Sequence, residues 1–173
     1  TVDFLMKHAN KPILLPKIAN TVEESMSSII VMMPELAIPK LQAWIDLGAY
    51  FKGVSNEVVA HQLATYLSSS ALIDLRGANK PYCFVLFFDQ SNKLWALNIK
   101  DRTLIALKST DYDYTKRTLG CEPEEWFTYY DQIHTTGTDI LQASDAYALV
   151  TLGLKTIERD VLQAVMRMRQ LKH

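Results

Sequence analysis

The heptapeptide HTTGTDI, positions 134–140, gathers a histidine, three threonines, a glycine and a carboxylate into one short segment. Thr135, Thr136 and Thr138 offer hydroxyls that donate and accept, Gly137 lets the backbone approach a bound group closely, and Asp139 accepts hydrogen bonds or orients a basic partner. That is the chemistry of a ligand-holding loop. The same residues also suit a tight turn, with Gly137 at positive φ and Asp139 capping nearby amides. His134 opens the segment, either as a ligand or base residue or as a hydrogen-bonded structural residue at a strand end.

A second set lies in TIERDVLQAVMRMRQL, positions 156–171. Arg159, Gln163 and Arg167 recur every four residues, so a helix here carries them on one stripe while Ile157, Val161, Ala164, Val165 and Met168 face a sheet. The arginine fork suits bidentate phosphate contact, and in nucleotide hydrolases it neutralises charge developing on the transferred phosphoryl group. A solvated helix face, with Glu158 and Asp160 beside it, accounts for the same stripe.

The thiols form a third set. Cys83 or Cys121 as nucleophile with His134 as base would make a thiol hydrolase. Cys83 sits in an apolar run and Cys121 in a polar loop with no helix N-terminus behind it, and both settings suit inert thiols. The histidines, His8, His61, His134 and His173, have no zinc spacing, so no metal is expected. Trp126, Phe127, Tyr129 and Tyr130 offer faces for stacking bases, or, by strand alternation, one half for the core and one for an adjoining helix.

These residues need a scaffold. At 173 residues, 49% hydrophobic and 21% charged, the chain fits one compact domain, or one with a small appendage. A net charge of -1 provides no global basic field for nucleic acid or an acidic membrane, so any polyanion site must be local. Two cysteines suit a reduced intracellular setting, no apolar run reaches the roughly 20 residues of a membrane span, and no signal-peptide layout opens the chain. A first residue of Thr rather than Met suggests a piece of a longer protein.

Along the chain, TVEESMSSIIVMMP predicts a short helix with a Thr21/Glu24 capping box ended by Pro34, within a helical appendage over 1–40. LQAWIDLG (41–48) reads as a buried strand. A helix follows, capped by Ser55 or Asn56, with Val59, Leu63, Tyr66 and Leu67 on one face. CFVLFFDQSNKLWALNIKDRTLIALKS reads as an antiparallel meander, 109–123 as a loop, EWFTYYDQI and AYALVTLG as strands, and the last stretch as a helix. Strand and helix alternating at both ends predict an α/β domain with a largely parallel sheet, so the strands ending near Leu47, Tyr130 and Leu152 should be parallel neighbours. Ligands bind such sheets beyond the carboxyl ends of the strands, where HTTGTDI falls, and an Arg167 facing that cleft would be steadied by Asp139.

The order of these parts resembles the second RecA-like domain of superfamily 2 helicases. There a strand ends in a threonine- and glycine-bearing segment with a G-x-D core, here Gly137, Thr138 and Asp139, and a later helix carries a glutamine and, four residues on, an arginine, here Gln163 and Arg167. In place of that pattern's glycine before the arginine stands Met166, and in place of its second arginine Gln170, with Arg169 one position earlier. The chain is also similar to a family of very large proteins of fungi, oomycetes and some intracellular bacteria labelled ubiquitin hydrolases. The shared segments are AWIDLGAYFKGVSNEVVAHQL, VLFFDQSNKLWALN, YYDQIHTTGTDI and AYALVTLG with DVLQAVMRMRQL, from about residue 42 to the end.

The resemblance implies a RecA-like α/β domain over 41–173, with the meander as an insertion. Arg167, with Arg169 as fallback, would act on phosphate, and His134, Thr135, Thr136, Gly137, Thr138, Asp139 and Gln163 would bind ligand. No G-x-x-x-x-G-K-[ST] loop occurs, so no cofactor is expected in this segment itself and ATP only with an upstream half. The implied partners are an upstream domain of the same chain and nucleic acid or ubiquitin, without a membrane, in the cytoplasm or in a host cytosol. Three readings stand: a degenerate helicase-type domain contributing to a composite nucleotide or nucleic-acid site, a non-catalytic protein-binding module, and part of a ubiquitin-directed thiol hydrolase. None requires activity from this segment alone.

Overall fold

The computed structural model describes residues 40–69, 80–135, 140, 142–143, 146–153, 156–157 and 159–161. The expected appendage, except Lys40, and Thr136, Gly137, Thr138, Asp139, Gln163, Arg167 and Arg169 lie outside the described residues.

Strand β1 (Leu41–Ile45) is buried along its whole length. Helix α1 (Asn56–Leu67) begins where the Ser55 hydroxyl accepts from the Val58 N–H at 3.3 Å, and it buries Val59, Ala60, Leu63, Ala64 and Leu67 at helical spacing. Strands β2 (Phe84–Phe88), β3 (Leu94–Asn98) and β4 (Leu104–Leu107) follow one another antiparallel, joined by turns in which Asn92 and Arg102 take positive φ of 60° and 64°.

The 109–123 stretch, expected as a loop, instead contains helix α2 (Tyr112–Leu119). Its signals are local: the Asp111 carboxylate accepts from the Tyr114 N–H at 2.8 Å, Asp113 lies in the first turn, Lys116 and Arg117 lie in the last, and Gly120 closes it at φ 67°. Strands β5 (Trp126–Tyr130) and β6 (Tyr147–Val150) complete a mixed sheet of order β4-β3-β2-β5-β1-β6. β2, β5, β1 and β6 run parallel, so the strands ending near Leu47, Tyr130 and Leu152 are the parallel neighbours that β-α alternation predicts.

Alternation splits the core into two layers. Val85, Phe87, Phe127, Tyr129 and Trp44 face α1, while Phe84, Leu86, Phe88, Trp126 and Tyr130 face the side that α2 and Val161 cover. The aromatic run of β5 is therefore divided between the layers, with exposures of 2% or less, and offers no open face for stacking bases. Cys121, expected in a polar loop, is buried against the second layer because α2 folds back onto the sheet. Ile157 is 51% exposed rather than facing the sheet, since the helical turn at 159–161 starts after it, and Val161 turns inward; Ala164, Val165 and Met168 lie outside the described residues. Among the described residues no helix is long and apolar enough to cross a membrane.

Candidate functional site

Two neighbouring parallel strands, β1 and β5, each run into an aspartate, and the Asp46 N–H donates to the Tyr130 carbonyl at 2.7 Å, so Asp46 and Asp131 emerge side by side. Asp46 is 1% exposed. Its Oδ1 accepts from the Tyr50 N–H at 3.0 Å and the Thr151 hydroxyl at 2.6 Å, and its Oδ2 from the Phe51 N–H at 3.1 Å. Burial pushes this carboxyl above its ordinary range; the three donors pull it back in part, and the nearby Asp131 charge adds to the rise.

Asp131 organises the other wall. Its Oδ1 accepts from the His134 N–H at 2.9 Å and meets His134 Nδ1 at 2.5 Å, while its Oδ2 accepts from Asn56 Nδ2 at 2.8 Å. The same Asn56 nitrogen donates to the Phe88 carbonyl at 2.7 Å, tying the start of α1 to the ends of β2 and β5. His134 is 4% exposed, stacks on Phe88 with centroids 4.9 Å apart, and presents Nε2 to Asn92 Oδ1 at 2.8 Å. Both ring nitrogens thus face oxygens. A protonated ring satisfies that arrangement as it stands, and a neutral ring satisfies it with the Asn92 carboxamide turned end for end. Thr135 is buried and donates its hydroxyl to the Gln132 carbonyl at 2.8 Å.

Together these groups bound a cleft of about 370 Å³ at the carboxyl edge of β1 and β5. One wall is the β1–α1 loop with Phe51, Lys52 and Asn56; the others are the β2–β3 turn with Gln90 and Asn92, and the 3-10 turn Ile133–Thr135. The loop carries backbone strain in Ala49, at φ 51°, a conformation that costs a residue with a Cβ roughly 1–2 kcal/mol.

Of the residues singled out by sequence, the structure places His134 in the lining of this cleft, while Thr135 is buried beside it in the same 3-10 turn and does not line the cleft. Arg159 extends into solvent with its Nε 3.7 Å from Asp160, an exposed pair that contributes little. Asp46, Asn92 and Asp131 were not among the residues singled out, and Asn56 was read as a candidate helix cap alone. Their sequence signal is the aspartate that directly follows Trp44-Ile45 and Tyr129-Tyr130, two apolar runs that end alike.

The thiols lie elsewhere. Cys83 precedes β2, whose far end, Phe88, stacks on His134, and five strand residues span roughly 16 Å. Cys121 packs in the same layer, and burial first, then Cys83, Glu125 and Glu122, push its thiol up to about 12. His134 therefore cannot serve as base to Cys83, and Cys121 is held protonated. Alkylation of Cys121 by iodoacetamide at neutral pH is expected to be at least tenfold slower in the native chain than in urea; equal rates would show an open thiol. Among the described residues no cluster of three His, Cys, Asp or Glu is placed to hold a metal ion. No family model, curated protein or solved structure matches the chain.

Proposed function

We propose that this chain is a degenerate helicase-type α/β domain that holds single-stranded nucleic acid at the carboxyl edge of its parallel strands, as one half of a composite site completed by an upstream domain. The observation that carries the reading is the position of the cleft: it opens beyond the ends of β1 and β5, where ligand loops of open α/β sheets converge, and His134 fixes the start of HTTGTDI to it. In this reading the sheet is RecA-like, with β3 and β4 as an inserted meander. Thr136, Gly137, Thr138 and Asp139 line the path of the strand, and Arg167, with Gln163 beside it and Arg169 as fallback, meets phosphate. ATP enters only with the upstream half, since this sequence lacks the glycine-lysine phosphate loop.

The test uses the chain by itself. It is expected to show no ATPase and no cleavage of ubiquitin chains, yet to bind a single-stranded oligonucleotide at low salt, with affinity falling as salt rises and at least fivefold weaker after Arg167→Ala. Absence of oligonucleotide binding would remove the reading. Ubiquitin cleavage abolished by Cys121→Ser would put the thiol hydrolase in its place. A protein-binding module is favoured by one observation, the 75% exposure of Ile133 at the rim of the cleft, which a protein partner would cover.

A further inference from the structure

A cleft at a helix N-terminus in an α/β protein is ordinarily a place for phosphate. This one is built against it. Asp131 lies at the start of α1, accepting from the Asn56 side chain; the Ser55 hydroxyl already accepts the Val58 N–H; and Glu57 adds a further acid to the first turn. A phosphate entering here would meet the carboxylates of Asp46 and Asp131, and among the described residues the exposed Lys52 is the only lysine or arginine in the lining to offer countercharge. The helix end is thus already flanked by the protein's own acids, and one of its first N–H groups is taken.

What the mouth offers instead is carboxamide. Gln90, Asn92 and Gln132 are exposed around it, and among the described residues the side chains of Gln90 and Gln132 make no hydrogen bond. Asn92 spends one end of its carboxamide on His134 Nε2 and keeps the other for the mouth. A carboxamide presents a donor and an acceptor side by side, which matches the paired donor and acceptor on the edge of a nucleobase, adenine above all. The volume of about 370 Å³ lies within the usual range of ligand clefts, roughly 300–1,000 Å³. Ile133 on the lip and Val54 on the wall supply apolar surface for the flat face of such a ring.

We infer that the cleft between the β1–α1 loop, the β2–β3 turn and the 3-10 turn after β5 receives an uncharged nucleobase, read by Gln90, Asn92 and Gln132, while the phosphates of the same strand run outside it. This rests on the nucleic-acid reading above and adds which part of the ligand enters the cleft.

The experiment is an amide NMR titration of the chain with four probes: adenosine, inorganic phosphate, a short adenine-rich single strand and an uncharged peptide. Adenosine and the single strand are expected to move the signals of Gln90, Asn92, Gln132 and Ile133, with phosphate leaving them in place. Gln90→Ala combined with Gln132→Ala should weaken adenosine binding at least fivefold with unchanged melting, since both side chains are exposed. Phosphate moving these signals where adenosine does not would overturn the inference. A single strand that binds but shifts only residues away from the cleft would overturn it and leave the nucleic-acid reading standing. Failure of the single strand to bind anywhere would overturn both, and peptide in place of adenosine would assign the cleft to a protein partner.

Discussion

Asp46→Ala is expected to destabilise the domain by about 3–5 kcal/mol, because it orphans the Tyr50 and Phe51 N–H groups and the Thr151 hydroxyl at once, each stranded donor costing roughly 1–3 kcal/mol. Tyr50 is part-exposed and recovers some of its share from water, which keeps the total below a simple sum. The effect has a pH signature. Burial raises the folded carboxyl above its ordinary 3.8, so the unfolded chain loses this proton first. The stability Asp46 contributes is then fully present below the unfolded value and declines as pH rises through the higher folded value. Urea unfolding of both proteins between about pH 4 and pH 7 should show the gap between them widest at the acid end. A gap that widens with rising pH, or a cost under about 1 kcal/mol, would sink this account.

That the residue is found by structure rather than by sequence has a physical reason. β1 and β5 are legible separately as apolar runs, and their parallel pairing follows from β-α alternation, but the cleft needs the register. Ile45 lies opposite Tyr130, and only that register brings Asp46 and Asp131 to one edge. Asn56 and Asn92 come from a helix start and a hairpin turn and share no spacing with either aspartate. The histidine was legible because it opens HTTGTDI; its partner Asp131, three residues earlier and within one turn, lies just outside that segment.

Helix α2 shows a different gap. Its caps and charges were all present, yet only Thr115 among its residues is buried, and Tyr112 and Leu119 pack at its ends, so apolar periodicity could not reveal it. α1, with five buried residues at helical spacing, declares itself by that same measure. A helix that buries many apolar residues is read from its core face, and a short polar one from its caps.

Gly48→Ala carries the second large effect. Past their last residues β1 and β6 continue to pair: the Thr151 N–H donates to the Ile45 carbonyl at 3.0 Å, and the Gly48 N–H to the Thr151 carbonyl at 2.8 Å. This brings Gly48 against Gly153. A Cβ on Gly48 would meet the Tyr50 ring at 2.6 and 2.8 Å and the Gly153 nitrogen at 2.9 Å. The backbone nitrogen cannot yield without parting the strands, and the ring is tethered, since the Tyr50 hydroxyl donates to the Leu152 carbonyl and its N–H to Asp46. Overpacking of this kind costs about 1–3 kcal/mol, a melting point lower by roughly 3–10 °C. Gly153→Ala should be milder, because its nearest contact, the Gly48 carbonyl at 3.2 Å, needs to give by only a few tenths of an ångström. The double variant should cost less than the sum of the two, since the first alanine already opens the space that the second requires. Because Tyr50 and Phe51 both hang on the Asp46 carboxylate, the same displacement should also shift the amide signals of Phe51 and Lys52 at the cleft wall. A Gly48→Ala variant that melts with the unmodified chain and leaves those signals in place would show that the two strand ends are not packed against each other as described.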